Sequence, residues 1–179
     1  NADIYVIQEC ENPELYPHMF MENYEWFGEN KNKGLGIFIR EGIKVNRNPW
    51  ESDSFRHYLS INIEDSFDLL GVWAGPPYIE GYYMYQKMNL HRYNTNTIII
   101  GDLNSNSKWD YKHGNLSHSV VVQELHKKGL VSAYHYMKGE GFGEESQNTF
   151  FMYRKSDRGY HIDYAFANPN SIVDFKILH

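Results

Sequence analysis

Three consecutive isoleucines, Ile98, Ile99 and Ile100, followed at once by Gly101-Asp102-Leu103-Asn104, constrain this chain more than any other feature. A β-branched run favours an extended backbone, and one without polar alternation reads as a strand buried on both faces. Gly101 then permits a tight turn or a close approach to a ligand. If the backbone stays extended as far as Asn104, positions two apart project to one side, so the Asp102 carboxylate and Asn104 carboxamide face a single spot. An Asp-Asn turn closing a core strand is the alternative reading.

Two further segments pair apolar strands with acids. Ala2-Asp3-Ile4-Tyr5-Val6-Ile7-Gln8-Glu9 ends on a carboxylate, and in His161-Ile162-Asp163-Tyr164-Ala165-Phe166-Ala167 alternation puts His161 and Asp163 on one face. Strands are predicted over residues 4–9, 24–28, 34–40, 43–46, 56–63, 67–73, 97–102, 130–133, 149–153, 160–167 and 172–177. Helices are predicted over 79–93 and 119–128, the second capped by Ser117 or Ser119 and ended by Gly129. Many strands with helices in the connections predict an α/β (α+β) class: two mostly antiparallel sheets packed face to face and flanked by helices. The Gly-rich segment 138–146 lacks the Gly-x-Gly-x-x-Gly spacing and is acidic, so it is expected to be a mobile surface loop beside the site.

The order strand-Gln-Glu, then Gly-Asp-x-Asn, then Ile-Asp-Tyr resembles the endonuclease/exonuclease/phosphatase superfamily, the Mg²⁺-dependent phosphoesterases related to pancreatic deoxyribonuclease. Nearly the whole chain takes part. A bacterial branch is similar in Gly71-Val72-Trp73-Ala74-Gly75-Pro76-Pro77, in Trp109-Asp110-Tyr111-Lys112-His113-Gly114 and in Thr149-Phe150-Phe151-Met152-Tyr153-Arg154. The resemblance implies a four-layer sandwich over a single domain, residues 1–179, with the site at one end of the paired sheets. It implies that Glu9 binds Mg²⁺, with Mn²⁺ as the alternative ion. Asp102 would position or deprotonate the attacking water, Asn104 would hydrogen-bond the scissile phosphate, and Asp163 would orient a catalytic histidine.

Departures from the family pattern shape further expectations. The usual opening strand with its Asn and the terminal Ser-Asp-His segment have no counterparts, and His179 is too close behind the Asp163 strand to return to the site. The chain is therefore expected to be a cut domain with weak metal affinity and little turnover. His161 replaces an arginine common in relatives; it is a phosphate contact, a proton donor or a structural imidazole paired with Asp163 or a neighbour. Trp73 stands where relatives carry a phosphate-contacting His or Tyr. With His161 and Arg154 it completes the expected substrate-contacting set, and His113 and His118 are expected in the loop lining the cleft.

The chemistry is consistent with these residue types. A phosphodiester repels hydroxide, so its hydrolysis is helped by a hard cation, a carboxylate near the attacking water and donors for developing charge. Mg²⁺ takes oxygen ligands, keeps several waters and typically needs one or two carboxylates. No His/Cys cluster has zinc-ligand spacing. With a net charge of −6 and a pI near 5.8, strong sequence-independent binding to long duplex is not expected. Single strands, short nucleic acids or nucleotide-like diesters are favoured as substrates.

The alternatives are a phosphomonoesterase of a small phosphorylated molecule and a non-catalytic binding module. The fifteen tyrosines and four tryptophans are spread along the chain, which favours core packing over base stacking. One cysteine, Cys10, excludes an internal disulfide and is read as a small hydrophobe. With no long apolar run or leader-like segment, it points to a cytoplasmic protein.

Overall fold

The computed structural model describes residues 2–16, 23–52 and 55–178. The chain forms β1 (Ile4–Cys10), β2 (Asn23–Asn30), β3 (Lys33–Ile39), β4 (Val45–Arg47), β5 (Tyr58–Ile63), β6 (Phe67–Trp73), α1 (Ile79–Asn89) and β7 (Thr97–Asp102). It continues through α2 (His118–Lys127), β8 (Val131–Ser132), α3 (Ala133–Lys138), β9 (Phe150–Phe151), β10 (Gly159–Tyr160) and β11 (Asp163–Ala167). A three-stranded antiparallel sheet, β1-β3-β2, faces a six-stranded sheet, β4-β5-β6-β7-β11-β8, while β9 and β10 make a separate hairpin. Only β6 and β7 run parallel within the large sheet, as they must when α1 crosses over between them.

The isoleucine run explains the layering. Ile98 and Ile100 pack into the layer between the sheets with Leu35, Ile37, Leu59, Ile61 and Leu69. Ile99 points the other way, into a core shared with Ile79, Tyr82 and Tyr85 of α1 and Val121 and Leu125 of α2. Helices α1 and α2 pack on that outer face of the large sheet, and no described helix is long and apolar enough to cross a membrane. The buried tyrosines 58, 82, 85, 93, 134 and 164 follow the core-packing expectation, as does buried Cys10.

Several predicted elements are revised. No strand forms over 172–177; Val173 and Leu178 are exposed, and Phe175 and Ile177 instead reach a small cavity beside Val6 and Asp163. The strand expected at 56–63 begins at Tyr58, because His57 has φ 63° and breaks the extended path. Likewise Tyr153 and Arg154, both at φ 56°, end β9 after two residues. Ala133 opens α3 instead of closing a strand, with Gly139 in the left-handed region at its end. The Gly-rich loop is anchored: the Glu140 carboxylate accepts from the Tyr134 hydroxyl and from Ser146, and Glu145 is buried. His179 lies outside the described residues.

Candidate active site

Register aligns the ends of three neighbouring strands. Trp73 of β6 lies opposite Asp102 of β7, and Asp102 lies opposite Asp163 of β11. Residues at matched positions on adjacent strands share a face, so all three side chains emerge together at one end of the sandwich. Glu9 arrives from the other sheet. A register shift between Ile7 and Cys10 leaves Glu9 at φ 58°, out of the regular ladder.

Asn104 does not reach the site by continued extension. Its φ of 46° turns the backbone back, its amide N–H donates to Asp102 Oδ1 at 2.6 Å, and its Nδ2 donates to Asp102 Oδ2 at 2.8 Å and to the Ala74 carbonyl at 3.1 Å. The turn and the polar constellation are one structure, because the turn is what brings the carboxamide onto the carboxylate.

The electrostatics single out Asp102. Burial, then the charge of Asp163 and, beyond the opposing Asn104 hydrogen bond, that of Glu9 push its carboxyl up to about 7. Burial also raises Asp163, against hydrogen bonding by Thr149 and the field of His161. The Thr149 hydroxyl accepts from the backbone N–H groups of Ile162 and Asp163, fixing the entry to β11. Glu9 shares in the same field although its side chain is 57% exposed, so acids distant in sequence converge on one spot.

Three neighbours were not singled out as site residues from the sequence. Lys33 places Nζ 3.1 Å from Glu9 Oε1 and 5.1 Å from the centre of the Trp73 ring. His57 packs on Trp73, ring centres 4.4 Å apart, and burial lowers its pKa. Ala74 contributes its carbonyl to Asn104 and its N–H to the Asp102 carbonyl. No sequence signal marks Lys33 as a neighbour of Glu9, and none announces the left-handed backbone of His57, which packs on Trp73.

The other expected contacts scatter. His161 is wholly buried, with Nδ1 against the Gln147 carbonyl at 3.1 Å and its ring 4.4 Å from that of Tyr134. The residues before Asp163 leave the strand, which breaks the alternation that placed His161 beside the acid. It occupies the interior rather than the site surface. His118 is likewise interior, on α2, whereas His113 lines a cavity of about 410 Å³ with Asn104, Tyr78, Trp109, Lys112 and Phe150. Arg154 is exposed at the turn of the β9–β10 hairpin.

Among the described residues no three His, Cys, Asp or Glu side chains enclose a metal position by themselves. The donors gathered here are hard oxygens, and Mg²⁺ completes its shell with water around one or two carboxylates. Burial raises Asp102 first and the charges of Asp163 and Glu9 add to it; a cation would relieve that added repulsion, and the Lys33 ammonium already sits against Glu9. Hard carboxylate oxygens are the donor type that Mg²⁺ takes, and among the described residues Glu9, Asp102 and Asp163 supply them at this end of the sandwich.

No protein-family model matches the sequence, and no curated protein matches it. Solved structures do. A 3'-5' exonuclease (NExo) from Neisseria meningitidis superimposes with a TM-score of 0.66 at 18% identity, over 97% of this chain and 79% of that one. The AP endonuclease LMAP from Leishmania major gives 0.63 at 13% identity, over 93% and 70%. An endonuclease/exonuclease/phosphatase from Beutenbergia cavernae DSM 12333 gives 0.50 at 13% identity, over 93% and 55%. The fold is that of the endonuclease/exonuclease/phosphatase proteins. At these identities the likeness establishes architecture, and the chemistry has to be argued from the side chains.

Proposed function

We propose that this protein is a divalent-metal-dependent phosphodiester hydrolase acting on nucleic acid or a nucleotide-like diester. The observation that carries the reading is the convergence of Glu9, Asp102 and Asp163 at the strand ends, with Asp102 raised to about 7. A carboxylate with a pKa near the working pH takes a proton from water more readily than one near 4. Asn104 holds both oxygens of that carboxylate in one orientation, and Ala74 holds Asn104. Asp163 keeps the local potential negative, which maintains the basicity of Asp102. Glu9 would hold the Mg²⁺ or Mn²⁺, which when bound draws charge from the non-bridging phosphate oxygens.

Nucleic acid is favoured over a simple ester by the aromatic cavity that opens beside Asn104, with Tyr78, Trp109 and Phe150 for a base or sugar and Lys112 for a phosphate. Arg154, with Lys155 and Arg158 on the same hairpin, would meet the backbone outside it. A second reading, phosphomonoester hydrolysis, is supported by one neighbour: the Neisseria protein is described both as an exonuclease and as a 3' phosphatase bound to a product DNA hairpin.

The test is hydrolysis of bis(p-nitrophenyl) phosphate, p-nitrophenyl phosphate and single-stranded DNA with Mg²⁺, with and without Asp102→Asn. The proposal expects diester turnover that Asp102→Asn lowers by at least about 100-fold. Faster monoester turnover would select the second reading. DNA binding without turnover of any substrate would reduce the protein to a binding module.

A further inference from the structure

A second cavity, of about 500 Å³, is lined in part by the loop formed by residues 74–78. The two cavities share that loop. Tyr78 at one end lines the aromatic cavity already described, while Gly75, Pro76 and Pro77 line the second. At the Ala74 end both candidate catalytic residues grip the loop: the Asp102 carbonyl accepts from the Ala74 N–H at 2.8 Å, and Asn104 Nδ2 donates to the Ala74 carbonyl. Both cavities therefore border the loop that Asp102 and Asn104 hold at Ala74.

The second cavity is built for a flat ring. Phe55 and Tyr58 supply aromatic surface, and Pro76 and Pro77 share the lining. At its polar edge the Arg56 guanidinium is paired with the Glu29 carboxylate, so donors and an acceptor lie side by side. A nucleobase edge carries both kinds of group and matches such a pair. A phosphate carries acceptors alone and would meet the Glu29 charge where it met Arg56. His57, also in the lining, touches Trp73 and links this cavity to the site. The volume lies within the range of small-molecule sites.

We propose that the Glu29–Arg56 cavity receives the nucleobase on the opposite side of the scissile phosphate from the one beside Tyr78, so that the protein grips a dinucleotide straddling the 74–78 loop. The inference rests on the phosphodiesterase reading and adds a substrate requirement, two bases flanking one phosphate.

Dinucleoside monophosphates carry a single phosphate, which fixes their register. Calorimetric titration of the Asp102→Asn protein with Mg²⁺ would compare three of them: one with both bases, one abasic on the 5' side and one abasic on the 3' side. Each abasic ligand should bind about tenfold more weakly than the parent. Arg56→Ala, at an exposed position, should abolish the penalty on one side and leave the other. Gly75→Leu should do the same, since a Cβ at Gly75 meets nothing within 4 Å and the side chain can fill the space. A penalty on only one side, or penalties unchanged in both variants, would overturn the proposal. So would an Arg56→Ala effect equal for all three ligands and erased by salt, which would mark a phosphate contact. Absence of bis(p-nitrophenyl) phosphate hydrolysis in the wild type would sink the hydrolase reading while the titrations still report on the cavity.

Discussion

Half-buried Asp102 and buried Glu145 are both carboxylates taken from water, and they titrate in opposite directions. Burial alone would raise Glu145, yet hydrogen bonds from His135 Nε2, the Gly143 N–H and Asn106 Nδ2 hold it at about 2. Asp102 has Asn104 as its donor and two acids for company, and stands at about 7. Tyr164 of β11 lies among the imidazoles around Glu145, while Asp163, the preceding residue, faces Asp102. The lesson is that burial does not fix how a carboxylate titrates; the donors and charges around it do. Glu145 is satisfied and holds a loop, whereas half-buried Asp102 carries the charges of Asp163 and Glu9 beside it.

Exchanging the two acids for neutral groups should break the comparison most sharply. Asp102→Asn should remove at least about 100-fold of turnover without unfolding the protein. Because the folded pKa of Asp102 is raised, its stabilising contribution is complete below about 4 and is lost as pH rises through about 7. Urea denaturation should therefore show Asp102→Asn gaining on the wild type between about pH 4 and pH 7; a pH-independent difference would contradict the assigned load. Glu145→Ala should do the reverse, costing about 3 kcal/mol by stranding His135, Asn106 and the Gly143 N–H. Turnover per folded molecule should change little, as measured at a temperature where the variant is still native.

An effect of similar size belongs to His118. Neither of its ring nitrogens has a hydrogen-bond partner among the described residues, and burial, opposed by the charges of Asp110 and Glu145, lowers its pKa to about 4. A depressed folded pKa gives stability that is present above about 6.5 and lost as pH falls towards 4, about 3 kcal/mol in all. His118→Phe should flatten that acid limb of the denaturation profile, and an unchanged limb would place the loss elsewhere. The smallest effect is expected at the rim. The Lys33–Glu9 pair is exposed, so Lys33→Met should tighten Mg²⁺ binding at Glu9 by no more than a few fold, read by titration calorimetry. Weaker Mg²⁺ binding would show that Lys33 supports the metal position instead of competing for it.

The strands that carry the acids were legible because apolar runs ending in Glu9 and Asp102 obey local rules: β branching, alternation and a glycine at the exit. The remainder depends on left-handed residues and on partners distant in sequence. His57, Asn104, Tyr153 and Arg154 each reverse the direction that simple alternation assigns. His161 reads as a neighbour of Asp163 in sequence but is drawn inward by Tyr134, Tyr164 and the Gln147 carbonyl. The tail after Ser171 has the apolar residues of a strand, but the described residues offer it no paired sheet edge. Lys33 acquires its meaning from a bulge on β1, which no pattern within β3 discloses.

Gly101 sits at φ 149° between Ile100 and Asp102, and a Cβ there would come 1.9 Å from the Val72 carbonyl oxygen. Codon 101 should consequently be the least forgiving in the gene. In a saturation library sorted for folded protein, the survivors at that codon should encode glycine alone, while codon 102 accepts asparagine; that contrast would separate demands of assembly from demands of chemistry at adjoining positions.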